Sequence, residues 1–400
     1  MESDVRHRAK GVHERGFRAL TGAWAVSLVG DGVRVVALPL FAAASTRSPL
    51  AVSAVAVALT LPWLLVALPA GALVDRWRPR TVVVVAHSMR AGVTGVLALA
   101  VHTGHATVVV LCATAFVLTS AETFADSASQ VLLVELAGPG DLEAANGRFV
   151  AVETIGMDLA GPLAAAALFW WAPAACFALD ALSFVAAAVL VSRVPDVAAE
   201  RSGGDLRGRL AEGARFLVRT PGLRSLVVAV AITAFCAAAI NAMLALYSIQ
   251  VLGLAEPVVP ALVVAMAAGA LLGAWLSPRL ARRWGAGRVM VGSLGLLGAA
   301  FALFGLTAWL VVAVGACVLF GLASAGWNVL SATRRQRLTP GPMMGRVTSA
   351  YRVLAWGLSP LGAGLAGPLA QATSLGTVYV VAGSIVGITV ILLARPLVRG

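Results

Sequence analysis

The residues of this sequence that could do chemistry are charged side chains inside long apolar stretches. Asp31 and Arg34 lie three residues apart in LVGDGVRVVALPL, so on a helix they share one face and can form an ion pair. Glu122 and Asp126 lie four residues apart in AETFADSAS, one helical turn from each other. Two carboxylates that close repel each other, and one of them tends to hold a proton near neutral pH. These spacings predict two candidate sites for binding and releasing protons.

Each site also has other interpretations. The Asp31–Arg34 pair can be a neutralised bridge that only supports the fold. Glu122 and Asp126 can alternatively bind a cationic substrate, and Asp126 can be hydrated or cap a helix near the end of its apolar stretch. The sequence leaves these alternatives open.

Further charged residues occur in other apolar stretches. Glu153 and Asp158 are candidates for proton transfer, but five positions on a helix separate their directions by about 140°. The two side chains therefore cannot face one cavity equally. Asp180, in FALDALSF, is predicted to be a packing or capping residue. Arg90 and Arg352 are predicted to bridge to acidic side chains or lipid phosphate.

The apolar stretches of the second half contain almost no acids. They contain amide and aromatic side chains, which can line a mostly apolar cavity with a few hydrogen-bonding groups. This asymmetry predicts proton chemistry in the first half and a substrate-binding surface in the second. The candidate cavity residues are Arg34, Asn241, Tyr247, Gln250, Trp327 and Asn328.

The elements that must position these residues are membrane-spanning helices. The 400 residues are 60% hydrophobic and 12% charged, whereas soluble domains carry about 25% charged residues. Apolar runs of about 20 residues recur, which is the length needed to cross a bilayer as a helix. The runs do not alternate as barrel strands do. We predict an all-α membrane protein with about twelve spans, including spans at 50–74 and 144–171, the latter with a bend at Pro162.

The arginines are concentrated in alternate loops and in both terminal segments. Because cytoplasmic loops carry the excess of Lys and Arg, both termini are predicted to be cytoplasmic, without a cleaved signal peptide. The net charge of +12 is thus explained by topology. Anionic membrane lipid is its predicted partner, and nucleic acid is not.

The longest polar interval divides the spans six and six. We predict a cytoplasmic tail at 1–17, a six-helix bundle at 18–194, a cytoplasmic linker at 195–222, a second bundle at 223–394 and a tail at 395–400. Within the linker, DLRGRLAEGARFLV has the pattern of a helix lying on the inner leaflet. The halves resemble each other, as in GALVDRWRPRTVVV and GAWLSPRLARRWGAGRVMV, which predicts pseudo-symmetric bundles.

No catalytic constellation is visible in the sequence. The histidines are scattered, and there is no GxxxxGK[ST] loop for ATP-driven transport. The four cysteines match no metal or haem spacing and are predicted to be free thiols inside helices. We therefore expect no enzyme activity, no cofactor and no metal.

The loop after the second span resembles motif A of the major facilitator superfamily. In GALVDRWRPR the residues Gly71, Leu73, Asp75, Arg76 and Arg80 match, while Arg78 and Pro79 replace the usual residues. The resemblance implies that Gly71, Asp75, Arg76 and Arg80 form a gating motif, in which Asp75 contacts a helix N-terminus or an arginine in one conformation. The alternative is a solvated turn that only sets topology.

Nearly the whole chain resembles the efflux branch that contains enterobactin exporters and macrolide-efflux proteins. AETFADSASQVLLVELAGPGDLEAANGR, EGARFLVRTPGLRSLVVAV and GRVTSAYRVLAWGLSPLGAGLAGPLA are similar to segments of that branch. The antiporter motif of the fifth helix keeps Gly161 and Pro162 but has Ala165 and Ala166 in place of its last glycines, and the usual arginine of the fourth helix is absent. Both departures argue against proton coupling through the better-known arrangement of these two helices.

The resemblance implies a secondary transporter of the plasma membrane with twelve helices in two bundles. It is expected to export a small amphipathic compound, such as a drug, antibiotic or siderophore-like metabolite, by proton antiport with alternating access. Its partners would be the substrate, protons and membrane lipids, and the protein would be a monomer. The alternatives are an importer or lipid-moving carrier on the same fold, and a membrane protein that transports nothing.

Overall fold

The computed structural model describes residues 2–74, 77–137, 142–195, 206–340 and 343–399. Within these ranges the regular structure is entirely helical, as the sequence predicted. The first half contains α1 (Glu2–Thr46), α2 (Pro49–Leu65), α3 (Ala67–Val74), α4 (Pro79–His102), α5 (Val108–Ala137), α6 (Leu142–Glu153), a π-helical segment (Thr154–Ala160), α7 (Gly161–Trp171) and α8 (Pro173–Ser192). The second half contains α9 (Leu206–Arg219), α10 (Pro221–Gln250), a short 3₁₀ helix (Glu256–Val258), α11 (Pro260–Trp284), α12 (Ala286–Leu306), α13 (Leu310–Leu338), α14 (Met344–Trp356), α15 (Ser359–Ala372) and α16 (Leu375–Arg399).

Proline and glycine set many of the helix ends. Pro79, Pro173 and Pro221 each occupy the first turn of a helix, where proline loses no hydrogen bond and its fixed φ already suits the helix. Gly104 and Gly285 follow α4 and α11 with φ values of 74° and 86°. Only glycine adopts such a φ without strain, so these residues reverse the chain between consecutive helices.

The second predicted span, 50–74, is two helices rather than one. Pro62 lies inside α2, and the chain turns at Val66 before α3 begins. The break is explained by Pro69, in the first turn of α3, because it has no N–H to donate to the carbonyl four residues earlier, that of Leu65, and its ring would clash with that carbonyl. Among the described residues, eleven helices are long and apolar enough to cross a membrane, and α2, with 17 residues, is a shorter apolar helix.

The fifth predicted span departs from the α-helix before Pro162, not at it. Residues Thr154–Ala160 form a π-helical segment, and α7 starts at Gly161 with Pro162 in its first turn. A wider helical turn leaves room for a proline ring that would otherwise clash with the carbonyl four residues earlier. The irregularity predicted at Pro162 is therefore present, one to two turns upstream.

The chain forms two compact units. The first contains the described residues of Met1–Phe41 and Pro62–Gly203, and the second those of Ala42–Leu61 and Gly204–Gly400. The change of unit at 203/204 falls inside the predicted linker, 195–222. No pattern in the sequence indicated that residues 42–61 pack with the second half.

The N-terminal part of α2 packs closely in the second unit. The Ser53 hydroxyl donates to the backbone carbonyl of Ala363 on α15, at 2.5 Å. A side chain at Gly367 would collide with Ser53, so glycine permits the close approach of the two helices. The Gln250 amide donates to the carbonyl of Arg47, just before α2, at 2.9 Å. These contacts hold the start of α2 against α10 and α15.

Helix α9 of the predicted linker packs on protein. Leu217 is fully buried in the second unit's hydrophobic core, and Ala214 and Phe216 pack against that core. Glu212 on α9 forms an ion pair of 2.7 Å with Arg346 on α14. Helices α10 and α14 thus cover the part of α9 around Leu217, and contact of this helix with the inner leaflet stays a prediction.

A cysteine scan should test the predicted topology. With Cys112 replaced by serine, a cysteine at Arg282 should resist an impermeant thiol reagent in intact cells, and one at His105 should react. The reason is the positive-inside distribution of arginine, which assigns these two exposed positions to opposite sides. Mass spectrometry of the labelled protein measures both. Permeabilised cells, in which both positions should react, are the control, and ready labelling at Arg282 in intact cells would contradict the orientation.

Candidate functional site

Four helices of the first unit bring five charged side chains together. Helix α1 contributes Asp31 and Arg34, α4 contributes Arg90, α5 contributes Glu122 and α8 contributes Asp180. Each residue lies well inside its helix, and four of the five side chains are no more than 5% exposed. We call these five residues the charge cluster.

Arg34 connects three helices through its guanidinium group. Its Nη2 atom donates to Oδ1 of Asp31 at 2.6 Å and to Oε2 of Glu122 at 3.0 Å. Its Nε atom lies 3.4 Å from Oδ2 of Asp180, within ion-pair range. The side chain is only 1% exposed, so these interactions act with little screening by water.

Arg90 adds a fourth helix to the cluster. Its Nη2 atom donates to Oδ1 of Asp31 and lies 3.4 Å from Oε2 of Glu122. The guanidinium group lies 4.0 Å from the ring centroid of Phe184 on α8, in a cation–π contact. The ring of His87, one turn away on α4, stacks on the same phenyl ring at 5.9 Å. The prediction that Arg90 bridges to acids is confirmed.

The cluster contains three carboxyl groups and two guanidinium groups. Arginine keeps its positive charge in proteins, so full ionisation of the carboxyls would leave one excess negative charge. An uncompensated charge in a buried site is costly. A proton or another cation relieves that cost, so this arrangement can take up and release one positive charge. Among the described residues, no group of three or more potential ligands could hold a metal ion.

The carboxyl groups of the cluster differ in access to water. The side chain of Glu122 is 17% exposed, against 5% for Asp31 and none for Asp180. Asp126 lies one turn further along α5 and is half-buried. Glu122 is therefore the cluster carboxyl that protons or substrate reach most directly.

Glycines of α1 allow the neighbouring helices to approach the cluster. A side chain at Gly30 would collide with the Asp180 carboxyl and the Ser183 hydroxyl of α8. A Cβ at Gly161 would lie 2.5 Å from Cα of Gly32, so α1 and α7 meet backbone to backbone. This contact gives Gly161 of the antiporter-like segment a packing role in the first unit.

Gly161→Ala should destabilise the protein, because its methyl group meets backbone atoms that cannot move aside. We expect a loss of about 1–3 kcal/mol in the free energy of unfolding, typical of overpacking. Gly92→Ala is the matched control, since a Cβ there meets nothing within 4 Å. Alanine in that open helical position should be neutral or stabilising by up to about 1 kcal/mol. Thermal unfolding of both purified variants in detergent measures the difference, and equal melting temperatures would contradict the close contact.

The other acidic candidates lie outside the cluster. Glu153 is exposed at the end of α6. Asp158 lies in the π-helical segment, and its side chain is outside the described residues. As proton-transfer residues, both stay predictions.

The gating motif is described only in part. Gly71 belongs to α3, whereas Asp75 and Arg76 lie outside the described residues. Arg80, in the first turn of α4, donates to the backbone carbonyl of Ser192 at the end of α8. A cation at a helix C-terminus is favourable, so Arg80 stabilises this end of α8.

Two of the candidate cavity residues of the second unit line one cavity. This cavity has a volume of about 430 Å³ and is lined by Pro49, Tyr247, Gln250 and neighbouring residues of α12, α15 and α16. The Tyr247 hydroxyl lies 2.8 Å from the carbonyl of Phe304 and 2.7 Å from that of Thr307, so it is engaged with the backbone. Tyr247 is also only 1% exposed, so it contributes little surface to the cavity.

The remaining candidate cavity residues are not in that lining. Asn241 and Asn328 are exposed on α10 and α13. The predictions for Trp327 and Arg34 are corrected: Trp327 packs in the hydrophobic core of the second unit, and Arg34 is enclosed by the charge cluster. Arg352 is exposed on α14.

Sequence reasoning missed Asp180 as a member of the cluster. It was predicted to be a packing or capping residue, but it lies well past the first turn of α8, beyond the reach of a cap. The position of each charged residue along its helix could have identified the cluster. The residues far from the ends of their helices are Asp180, Arg90, Asp31 and Glu122. All four cysteines are free thiols inside helices, as predicted.

The comparisons with known proteins agree with this architecture. The sequence matches the Major Facilitator Superfamily over residues 20–364. It is 28% identical over 396 residues to the uncharacterized MFS-type transporter y4rN of Sinorhizobium fredii, covering 96% of this chain and 95% of that protein. It is 27% identical over 372 residues to the multidrug efflux pump Tap of Mycolicibacterium fortuitum, covering 90% and 89%.

Among solved structures, the nucleoside transporter NupG is similar in fold. It has a TM-score of 0.76 at 13% identity, over 95% of this chain and 98% of that one. The all-α fold predicted from the sequence is thereby confirmed, and the protein is a multi-pass membrane transporter rather than an enzyme. The chain belongs to the major facilitator superfamily.

Proposed function

We propose that this protein is a secondary transporter that exports a small amphipathic compound in exchange for protons. The observation that carries the proposal is the charge cluster, in which three carboxyls share two guanidinium groups inside the first unit. A site with one carboxyl in excess can bind a proton in one conformation and lose it in another. That is the property a proton-coupled transporter needs.

The direction of transport is proposed from sequence similarity. The relative Tap is a multidrug efflux pump, and segments of this chain are similar to the efflux branch. The cavity of the second unit, which is lined mainly by small and aliphatic residues with Gln250 and Ser374 as polar groups, suits part of an amphipathic substrate.

Coupling follows from a difference in proton affinity between two conformations. Protonation removes the excess charge and favours the conformation that encloses the cluster, while deprotonation favours one that lets water reach it. The bias is limited to the difference in proton binding free energy between the two states. Glu122 and Asp31 are the first candidates for the coupling residue, followed by Asp126, Glu153 and Asp158.

The rest of the proposal concerns topology and gating. The protein would lie in the cell membrane as a monomer with both termini in the cytoplasm, as two six-helix bundles at 18–194 and 223–394. Asp75 and Arg76 would form a gate with Gly71 and Arg80 in the loop between α3 and α4. Arginines of the cytoplasmic loops would contact anionic lipid.

Reconstitution tests this proposal. Purified protein in liposomes should transport a probe such as ethidium, chosen from a panel of amphipathic dyes and antibiotics, when a pH gradient is imposed. Movement of the probe should be accompanied by opposite movement of protons, read with an internal pH dye. Accumulation in the direction of proton flow would favour an importer, probe movement without proton movement would exclude antiport, and flipping of labelled phospholipid would favour a lipid carrier.

A further inference from the structure

Asp180 is the least compensated carboxyl group of the charge cluster. Its side chain is 0% exposed, so water does not stabilise a negative charge there. Neither carboxyl oxygen has a hydrogen-bond partner among the residues that the structure describes. Its contact with Arg34 is a 3.4 Å approach to Nε, an atom that likewise makes no hydrogen bond within the described chain.

The other two carboxyls have better partners. Asp31 accepts hydrogen bonds from both Arg34 and Arg90 through Oδ1. Glu122 contacts the same two guanidinium groups at 3.0 and 3.4 Å, and it is partly open to water. The two guanidinium charges are thus compensated by Asp31 and Glu122. No full positive charge remains to compensate an ionised Asp180.

We propose that Asp180 is protonated in this conformation and stores the proton that balances the charge cluster. This inference follows from the burial and the unequal partners of the three carboxyls. Only the use of that proton for transport rests on the proposed function. The proton comes from water and returns to water, so the step needs no other reactant.

The surroundings of Asp180 explain how the proton could be released. Helix α1 faces it with Arg34 and Asp31, α5 contributes Glu122 with Asp126 a turn away, and α4 contributes Arg90 and His87. Arg34 is the nearest cation and is held mainly by Asp31 and Glu122. If either of those carboxyls became neutral, Arg34 could pair fully with an ionised Asp180. The proton of Asp180 is therefore linked to the state of the other two.

Infrared spectroscopy tests the assignment directly. The purified protein is measured at neutral pH in dodecyl maltoside, which has no carbonyl group, and in a buffer without carboxylates. An ordinary Asp or Glu has a pKa of about 4 and is ionised under these conditions. We expect the wild type to show the C=O stretch of a carboxylic acid, shifted in D₂O, and the Asp180→Asn variant to lose it. Glu135→Gln, at a glutamate of α5 outside the cluster, is the control and should keep this band.

A second variant tests the charge balance. In Asp31→Asn, two guanidinium groups face two carboxyls, so Asp180 should ionise and the same band should disappear although Asp180 is still present. A purely structural Asp180 would not respond to this change. Should Asp180→Asn not fold, the Asp31→Asn spectrum decides the question.

The proposal is overturned if the wild type lacks the band, which is the result expected if a bound cation neutralises the cluster. It is also overturned if the band survives in both Asp180→Asn and Asp31→Asn. The measurement uses neither substrate nor gradient. A negative infrared result would therefore not contradict the proposed transport function. Equally, an absence of proton-coupled transport would not contradict the protonation of Asp180.

Discussion

We expect Glu122→Gln to abolish uphill export and to leave exchange down a substrate gradient intact. Among the predicted changes in activity, this effect is the largest. Glutamine keeps the shape of the side chain and its ability to accept from Arg34, but it cannot gain or lose a proton. With Glu122 neutral at all times, the charge of the cluster is balanced in both conformations, and protons no longer favour one of them.

Glu122 is the preferred position because of its contacts and its exposure. It reaches both guanidinium groups of the cluster, and its side chain is the most exposed of the three carboxyls, at 17%. Asp31→Asn removes a carboxyl of the same network and is the companion variant. We expect at least one of the two substitutions to uncouple transport.

The measurement is efflux of a probe from proteoliposomes with and without an imposed pH gradient, together with probe exchange at equal pH. Glu135→Gln, at another glutamate of α5, is the matched control and should respond to the gradient like the wild type. If both Glu122→Gln and Asp31→Asn still concentrate the probe, the coupling site lies elsewhere, and Glu153 and Asp158 are tested next. A wild type that ignores the gradient would refute proton antiport.

Arg34→Gln should have the largest effect on stability. The substitution leaves Asp31, Glu122 and Asp180 with Arg90 as the cation of the cluster, so the excess of carboxyl groups over guanidinium groups rises from one to two. Removing one partner from a buried ion pair costs about 3–5 kcal/mol. We expect a strongly lowered melting temperature or a low yield of folded protein.

A charge-restoring double variant separates electrostatics from lost packing. Arg34→Gln combined with Asp31→Asn has the same excess charge as the wild type and should recover part of the stability. Arg352→Gln, at an exposed arginine of α14, is the control and should change the free energy of unfolding by no more than about 0.5 kcal/mol. Thermal unfolding followed by tryptophan fluorescence measures all four proteins. Similar melting temperatures for Arg34→Gln and wild type would show that the cluster contributes little to stability.

The parts of the site that sequence predicted are those set by spacing along one helix. Asp31 and Arg34 pair because residues three apart share a helical face. Glu122 and Asp126 also share a face, but the ion pairs of the cluster involve only Glu122. Which turn of α5 lies level with the guanidinium groups depends on the depth at which the helices pack, and helical spacing carries no such information.

The contacts between helices could not be predicted for the same reason. Arg90 and Asp180 join the cluster through the rotation and depth of α4 and α8, which are fixed by packing, with Gly30 making room for the carboxyl of Asp180. The spans themselves were predictable because a bilayer requires long apolar helices. The break between α2 and α3 and the π-helical segment were not, because prolines are tolerated in membrane helices in several ways.

The packing of Ser53 on α15 has a consequence for how the protein is made. The carbonyl that accepts its hydrogen bond belongs to Ala363, 310 residues later in the chain. At a translation rate of about 5–20 residues per second, the acceptor emerges roughly 15–60 s after the donor. During that interval the short helix α2 must wait in the membrane, or at the insertion machinery, without the neighbour that completes its packing. Helix α2 therefore cannot reach its final arrangement until α15 has been synthesised, and a ribosome that stalls before α15 leaves α2 without this partner.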